Sequence, residues 1–213
     1  MRIFGLREVL AEHILRNRFK YILILVSLIT GVIAGAFLTL SVSYEKSSEL
    51  AEFVRSFCAD TLEGGIPLNA FVSSTLFNNF RLFILFLLCS LHVFLVPLIF
   101  FSIAVKGFVI GFSTCFMCVN FGFWGFLLIA FSNIIQIFLL IPVCMYMAVQ
   151  SVNINKRRSD FLKSGGVSFA RTKIWSSRNY VLSCIFCVTA IFVCSVVEAA
   201  VVPGFVRAVA GFL

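Results

Sequence analysis

Charge is the scarcest commodity in this sequence. Only 12% of its 213 residues are Asp, Glu, Lys or Arg, against an apolar share of 61%, whereas soluble domains are about a quarter charged and nearer half apolar. That balance excludes an ordinary water-soluble fold and makes the bilayer the expected solvent. Histidine is almost missing: His13 and His92 fall on different elements, with no acidic neighbour at i+4. There is no G-x-x-x-x-G-K-[ST] run to cradle phosphates, no H-E-x-x-H to hold a catalytic zinc and no G-x-S-x-G nucleophile elbow. We therefore expect no enzymatic chemistry and no cofactor.

Two further absences narrow the class. Seven of the eight cysteines (Cys89, Cys115, Cys118, Cys144, Cys184, Cys187 and Cys194) lie inside apolar runs and only Cys58 in a polar one, so a disulfide framework is not expected. The Cys115/Cys118 and Cys184/Cys187 pairs have a spacing that zinc accepts, but thiols in apolar helices stay protonated and behave as small hydrophobes, and no metal is expected. A cleavable leader is not expected either: the first apolar run is longer than a signal-peptide core and lacks a convincing A-x-A site, so it reads as an uncleaved anchor. The net charge of +8 does not point to nucleic acid. The basic residues form two blocks beside apolar runs, a pattern that suits a membrane surface.

Three runs are long enough to span about 30 Å of hydrocarbon: 21–42, 82–105 and 180–202. Arg2, Arg7, Arg16, Arg18 and Lys20 precede the first, while Lys156, Arg157, Arg158, Lys163, Arg171, Lys173 and Arg178 crowd 151–179. Both segments are expected in the cytoplasm. The 43–81 loop sets Lys46, Arg55 and Arg81 against Glu45, Glu49, Glu52, Asp60 and Glu63, and belongs outside. An odd number of crossings must separate the two, so the uncharged tract 108–150 is expected to cross twice, as helices 106–119 and 123–149 joined at Asn120-Phe121-Gly122. The expected fold is a single all-α membrane domain: a polytopic bundle of five transmembrane helices, N-terminus inside and C-terminus outside.

The remaining parts read as surface elements. Leu6, Val9, Leu10, His13 and Ile14 recur at helical spacing opposite Arg7, Glu8, Glu12 and Arg16, giving an N-terminal interfacial amphipathic helix within 1–20. In the outer loop Leu50, Phe53, Val54 and Phe57 make one apolar stripe, and Phe71, Val72, Thr75, Leu76 and Phe80 a second after the Gly64-Gly65-Ile66-Pro67 break. Two short interfacial helices are expected there, too small for an enzymatic domain of their own. The basic 151–179 segment is expected to be mostly irregular and held near anionic lipid.

Within the spans, small residues recur every four positions: Ser27, Gly31, Gly35, Thr39 and Ser43 in the first, then Gly107 and Gly111. Ser183, Cys187, Ser195 and Ala199 form a similar face in the last. Such faces admit a close helix neighbour, inside the bundle or on another protein. Glu198 is an ionisable group in an apolar run. It lies roughly 27 Å from Tyr180 along the helix, where Arg81 at the outer start of the second span can reach it or headgroup water can wet it. His92 and Asn133 share a depth, with Gln136 a turn deeper, and serve either as interhelical hydrogen-bond glue or as a proton or substrate pathway.

Taken in order, these runs resemble the stage II sporulation protein M family of endospore-forming bacteria over essentially the whole length. The resemblance rests on Ile14-Leu-Arg-Asn17 before the first span, Gly31 and Gly35 within it, and Asn79-Phe-Arg81. It continues in Lys106-Gly107-Phe108-Val-Ile-Gly111-Phe112, the most specific element, and Glu198-Ala-Ala-Val-Val-Pro203. Asn133 departs from the family pattern, in which a proline commonly precedes the polar pair of the fourth helix. The resemblance implies a septal membrane protein needed for engulfment of the forespore, anchoring two peptidoglycan-degrading partners, the stage II sporulation proteins D and P. A transporter or permease subunit is the competing reading, since such subunits often carry an interfacial helix before their first span.

Overall fold

The computed structural model describes residues 14–62, 68–89, 93–163 and 178–209. His92, the amphipathic segment up to His13 and positions 164–177 of the basic loop lie outside the described residues. Among the described residues six α-helices follow in order: α1 Arg18–Ser41, α2 Tyr44–Leu62, α3 Leu68–Cys89, α4 Val96–Ile135, α5 Ile141–Lys163 and α6 Arg178–Val209. A 3-10 turn, Val93–Leu95, precedes α4, and a π-helical turn, Gln136–Leu140, joins α4 to α5. No strand occurs among the described residues.

Four helical stretches are long and apolar enough to cross a membrane: Arg18–Ser41, Val72–Cys89, Val96–Lys156 and Leu182–Val206. The third, of 61 residues, would measure about 90 Å if straight, three times the hydrocarbon thickness. It folds back instead. Gly122 has φ 59°, a left-handed conformation that costs glycine little and other residues much. Beyond it the Asn133 Nδ2 donates to Thr114 Oγ1 at 2.9 Å, although 19 residues of straight helix would separate them by about 28 Å.

Paired side chains set the directions of the helices. Ser27 Oγ donates to Phe100 O at 2.7 Å, Thr39 Oγ1 to Phe112 O at 3.2 Å and Ser47 Oγ to Asn120 Oδ1 at 3.1 Å, each across 73 residues. A constant offset means that α1 and the first arm of α4 run parallel. So do α3 and α5, where Ser151 Oγ donates to Phe86 O at 3.0 Å and Asn155 Nδ2 to Cys89 O at 2.7 Å. α5 and α6 run oppositely, since Gln136 meets Glu198 and, further along, Tyr146 meets Ser183.

Several expected boundaries shift. The span expected at 82–105 is divided: α3 begins at Leu68 and ends at Cys89, and α4 starts at Val96 with Pro97 in its first turn. Proline lacks the N–H and cannot continue a helix from its N-terminal side, so an apolar run extended across Pro97 was too long. The helix expected at 106–119 therefore starts ten residues earlier, with Lys106, Gly107 and Gly111 at its middle. The second outer-loop stripe belongs to α3 rather than to an interfacial helix. The 151–179 segment is helical as far as Lys163, because Ser151 and Asn155 fasten it to the end of α3.

The tightest packing is between α1 and α4. A Cβ added at Gly31 or Gly35 would stand closer than 3.0 Å to the backbone of Ala104 or Phe108, and one at Gly107 or Gly111 equally close to that of Leu28 or Val32. The four glycines thus interlock reciprocally. Lipid tails offer no hydrophobic drive for association, so contact depends on close van der Waals approach and weak Cα–H···O bonds, both of which need the missing side chains. The outer face carries Ile22, Ile29, Phe37, Phe101, Phe138 and Phe192 exposed to the surroundings, as a lipid-facing surface requires.

Gly31→Leu and Gly111→Leu are each expected to destabilise the protein by about 1–3 kcal/mol or more, since the obstructing atoms are backbone. Gly204→Ala, where nothing lies within 4 Å of the added carbon, should stay within about 0.5 kcal/mol. Thermal unfolding in detergent micelles measures all three.

Candidate functional site

The interior of this bundle holds polar side chains among its apolar ones. Thr39, Asn79, Ser102, Asn133, Ser151, Asn155, Ser195 and Glu198 are all buried. The densest group gathers three helical elements around Glu198, which is 7% exposed. Gln136 Nε2 donates to its Oε1 at 2.7 Å and Asn79 Nδ2 approaches its Oε2 at 3.5 Å. Asn79, only 2% exposed, donates at 3.1 Å to Ser195 Oγ. The π-turn begins at Gln136 itself. Such one-residue widenings of a helix are frequent at functional sites.

Two expectations about this region are corrected. Arg81 does not meet Glu198: it is exposed, two positions after Asn79, which turns it about 200° round α3. Because α3 starts at Leu68, Asn79 and not Arg81 presents itself to α6. Nor is Glu198 a wetted interfacial group, since α6 continues to Val209 and the carboxyl is buried against α3 and the π-turn. Asn133 bonds Thr114 across the hairpin, while its expected companion His92 lies outside the described residues. Asn79 is not among the expected site residues because 43–81 is expected to lie outside the membrane as two short interfacial helices. An Asn inside an apolar stretch is itself the signal, once Val72–Cys89 is recognised as a span.

Lys106 is half-buried and lines a narrow cleft with Leu28, Leu82, Phe86, Leu140 and Cys144. Among the described residues no group of three or more His, Cys, Asp or Glu could hold a metal, and all eight cysteines are free thiols.

The second candidate surface is α2, which follows α1 after two residues. Ser47 bonds Asn120, and the Arg55 guanidinium lies 5.7 Å from the Phe121 ring centre, so α2 sits on the Gly122 hairpin. Cys58 and Thr61 are buried on its inner face. Leu50, Phe53 and Phe57, at helical spacing, are exposed, Phe53 to 67%. Burial pushes the Cys58 thiol above its ordinary value.

The family model described as Stage II sporulation protein M matches residues 23–206 of the chain. No curated protein and no solved structure matches the chain.

Gln136→Leu should cost about 1–3 kcal/mol by leaving a buried carboxyl oxygen without its donor, whereas Glu198→Gln should be milder because it keeps shape and hydrogen bonding. An unchanged Tm for Gln136→Leu in detergent would contradict the buried arrangement. Cys58, with its raised pKa, holds less thiolate at neutral pH. Its alkylation by maleimide should be about tenfold slower than that of a Ser56→Cys control on the exposed face, and should accelerate as pH rises.

Proposed function

The chain belongs to the stage II sporulation protein M family, and on that premise we propose that it is a non-enzymatic membrane scaffold of endospore formation. It anchors and positions peptidoglycan-degrading partners, the stage II sporulation proteins D and P, at the septum where the forespore is engulfed. In this reading α1, α3, the two arms that meet at Gly122 and α6 make five crossings, with the N-terminus in the cytoplasm and the C-terminus outside. The outward α2 helix then faces the compartment that holds the cell wall.

The supporting observation is the outer face of α2. A helix with Glu45, Glu49, Glu52 and Asp60 exposed also exposes Leu50, Phe53 and Phe57 in one stripe, while a different face is spent on the bundle. An apolar stripe rimmed by charge suits a protein partner better than bulk water. The helix is fastened through Ser47 and Arg55 to the hairpin tip, so a partner held there is placed at a fixed distance from the membrane.

A permease-like subunit is the second reading, favoured by the buried Glu198 group, which a passive anchor does not need. It requires a driving ATPase that co-purifies with the chain.

Replacing Leu50, Phe53 and Phe57 together by Ser is expected to abolish co-purification of the two hydrolases from sporulating cells and to disperse their septal focus, with membrane levels of the protein unchanged. Hydrolases that still focus at the septum in cells lacking this protein would sink the scaffold reading.

A further inference from the structure

Of the membrane-length stretches, Arg18–Ser41 begins on a basic residue and Val96–Lys156 ends on one. Those two ends meet. The Lys20 ammonium donates to Asn153 Oδ1 of α5 and, at 3.3 Å, to Asn17 Oδ1. Further along, Leu28 of α1 and Met145 of α5 line one cleft. The two helices therefore run oppositely, and the contact of Lys20 with Asn153 closes their seam at the end of the bundle.

Charge of one sign collects around this contact. Positions 14–20 and 153–158 hold Arg16, Arg18, Lys20, Lys156, Arg157 and Arg158 and no Asp or Glu, the next acids being Glu12 and Asp160. Arg16 stands four residues before Lys20 and Lys156 three after Asn153, spacings that return to the same helix face. Because the helices are antiparallel, both cations lie beyond the contact in the same direction. Arg16 and Lys156 are exposed, and neither has a hydrogen-bond or ion-pair partner among the described residues. The N-terminus of α1, where Asn17 makes no side-chain cap, adds partial positive charge at the same place.

Depth and surroundings select the anion. A membrane-length apolar helix ends where hydrocarbon gives way to headgroups, so cations at positions 16–20 and 156 stand at the level of lipid phosphates. Phe19 and Leu23, three and seven residues after Arg16 and on its side of the helix, are 73% and 56% exposed. Acyl chains cover such side chains, whereas a free anion leaves them bare. Arg18 faces elsewhere: it is two positions from both Arg16 and Lys20, about 200° round the helix, with its guanidinium 5.9 Å from the Phe19 ring centre.

We propose that the seam between α1 and α5 is a binding site for an anionic phospholipid, whose phosphate is held between Arg16 and Lys156 while its acyl chains lie on Phe19 and Leu23. Lys20 and Asn153 form the strut that keeps the two cations together. One cation comes from each helix, so the bound lipid joins the ends of α1 and α5. The site is independent of the scaffold reading, which uses α2 at the opposite end of the bundle.

Native mass spectrometry of the whole protein released from detergent micelles tests this, with phosphatidylglycerol or phosphatidylcholine of equal chain length added. The choline cation offsets the phosphate of the second lipid, so the protein is expected to retain phosphatidylglycerol in preference to it. Arg16→Gln and Lys156→Gln should each lower that retention about fivefold, the effect of one cation at a membrane surface. Arg18→Gln removes the same charge at the same depth from another face and should leave retention unchanged. Equal losses for all three variants would mean diffuse attraction and overturn the site. Displacement of phosphatidylglycerol by inorganic phosphate at constant ionic strength would assign the seam to free phosphate and overturn the lipid assignment. Equal retention of the two lipids, or Arg16→Gln and Lys156→Gln proteins of native Tm that hold phosphatidylglycerol as the parent does, overturns the proposal outright.

Discussion

The close approach of two backbones holds this molecule together. Gly31 and Gly35 of α1 receive the backbone of α4, and Gly107 and Gly111 of α4 receive that of α1, over the same few turns. In water a bundle of this size would be driven together by burying apolar surface. In hydrocarbon that term vanishes, and adhesion falls to atoms brought near enough to attract. Four absent side chains supply that proximity. The flanking hydroxyls of Ser27 and Thr39, each donating to a carbonyl of α4, lock the register.

That parallel pair determines much else. Two helices in the same direction need a returning helix between them, and α3 is that helix, reaching α4 through the Val93–Leu95 turn. The Gly122 reversal then sends α5 back alongside α3. α6 closes the bundle by lying against α3, the π-turn and α5. Side chains that would normally face water are collected inside, because a polar group aimed at lipid has no partner while one aimed at a neighbouring helix has several. Glu198 is the extreme case. Its burial requires Gln136 and Asn79 to arrive from separate elements, so the group exists only in the assembled bundle.

Outside the bundle core the logic reverses. α2 is charged and exposed, and its apolar side chains divide between two faces. Cys58 turns toward the protein while Leu50, Phe53 and Phe57 turn away. The inward face and the contacts of Ser47 and Arg55 account for its position on the hairpin. Among the described residues the outward face stays exposed, and for this reason it carries the proposed contact with wall hydrolases.

Much of this was legible in the amino-acid order, for local reasons. The bilayer as solvent follows from composition, the glycine faces from four-residue spacing, and the reversal near Gly122 from a residue that alone tolerates a positive φ. The apolar stripe of α2 follows from spacing as well. What spacing could not decide is where each helix begins and which way round it faces. A start at Leu68 rather than at position 82, and a break ahead of Pro97, rotate the neighbourhood enough to exchange Arg81 for Asn79 beside Glu198. Likewise Asn133 found Thr114 across a hairpin. Hydropathy and periodicity are properties of one segment and survive in isolation. The pairing of Glu198 with Gln136 and Asn79 depends on the relative rotation and depth of three elements, which only their mutual packing sets.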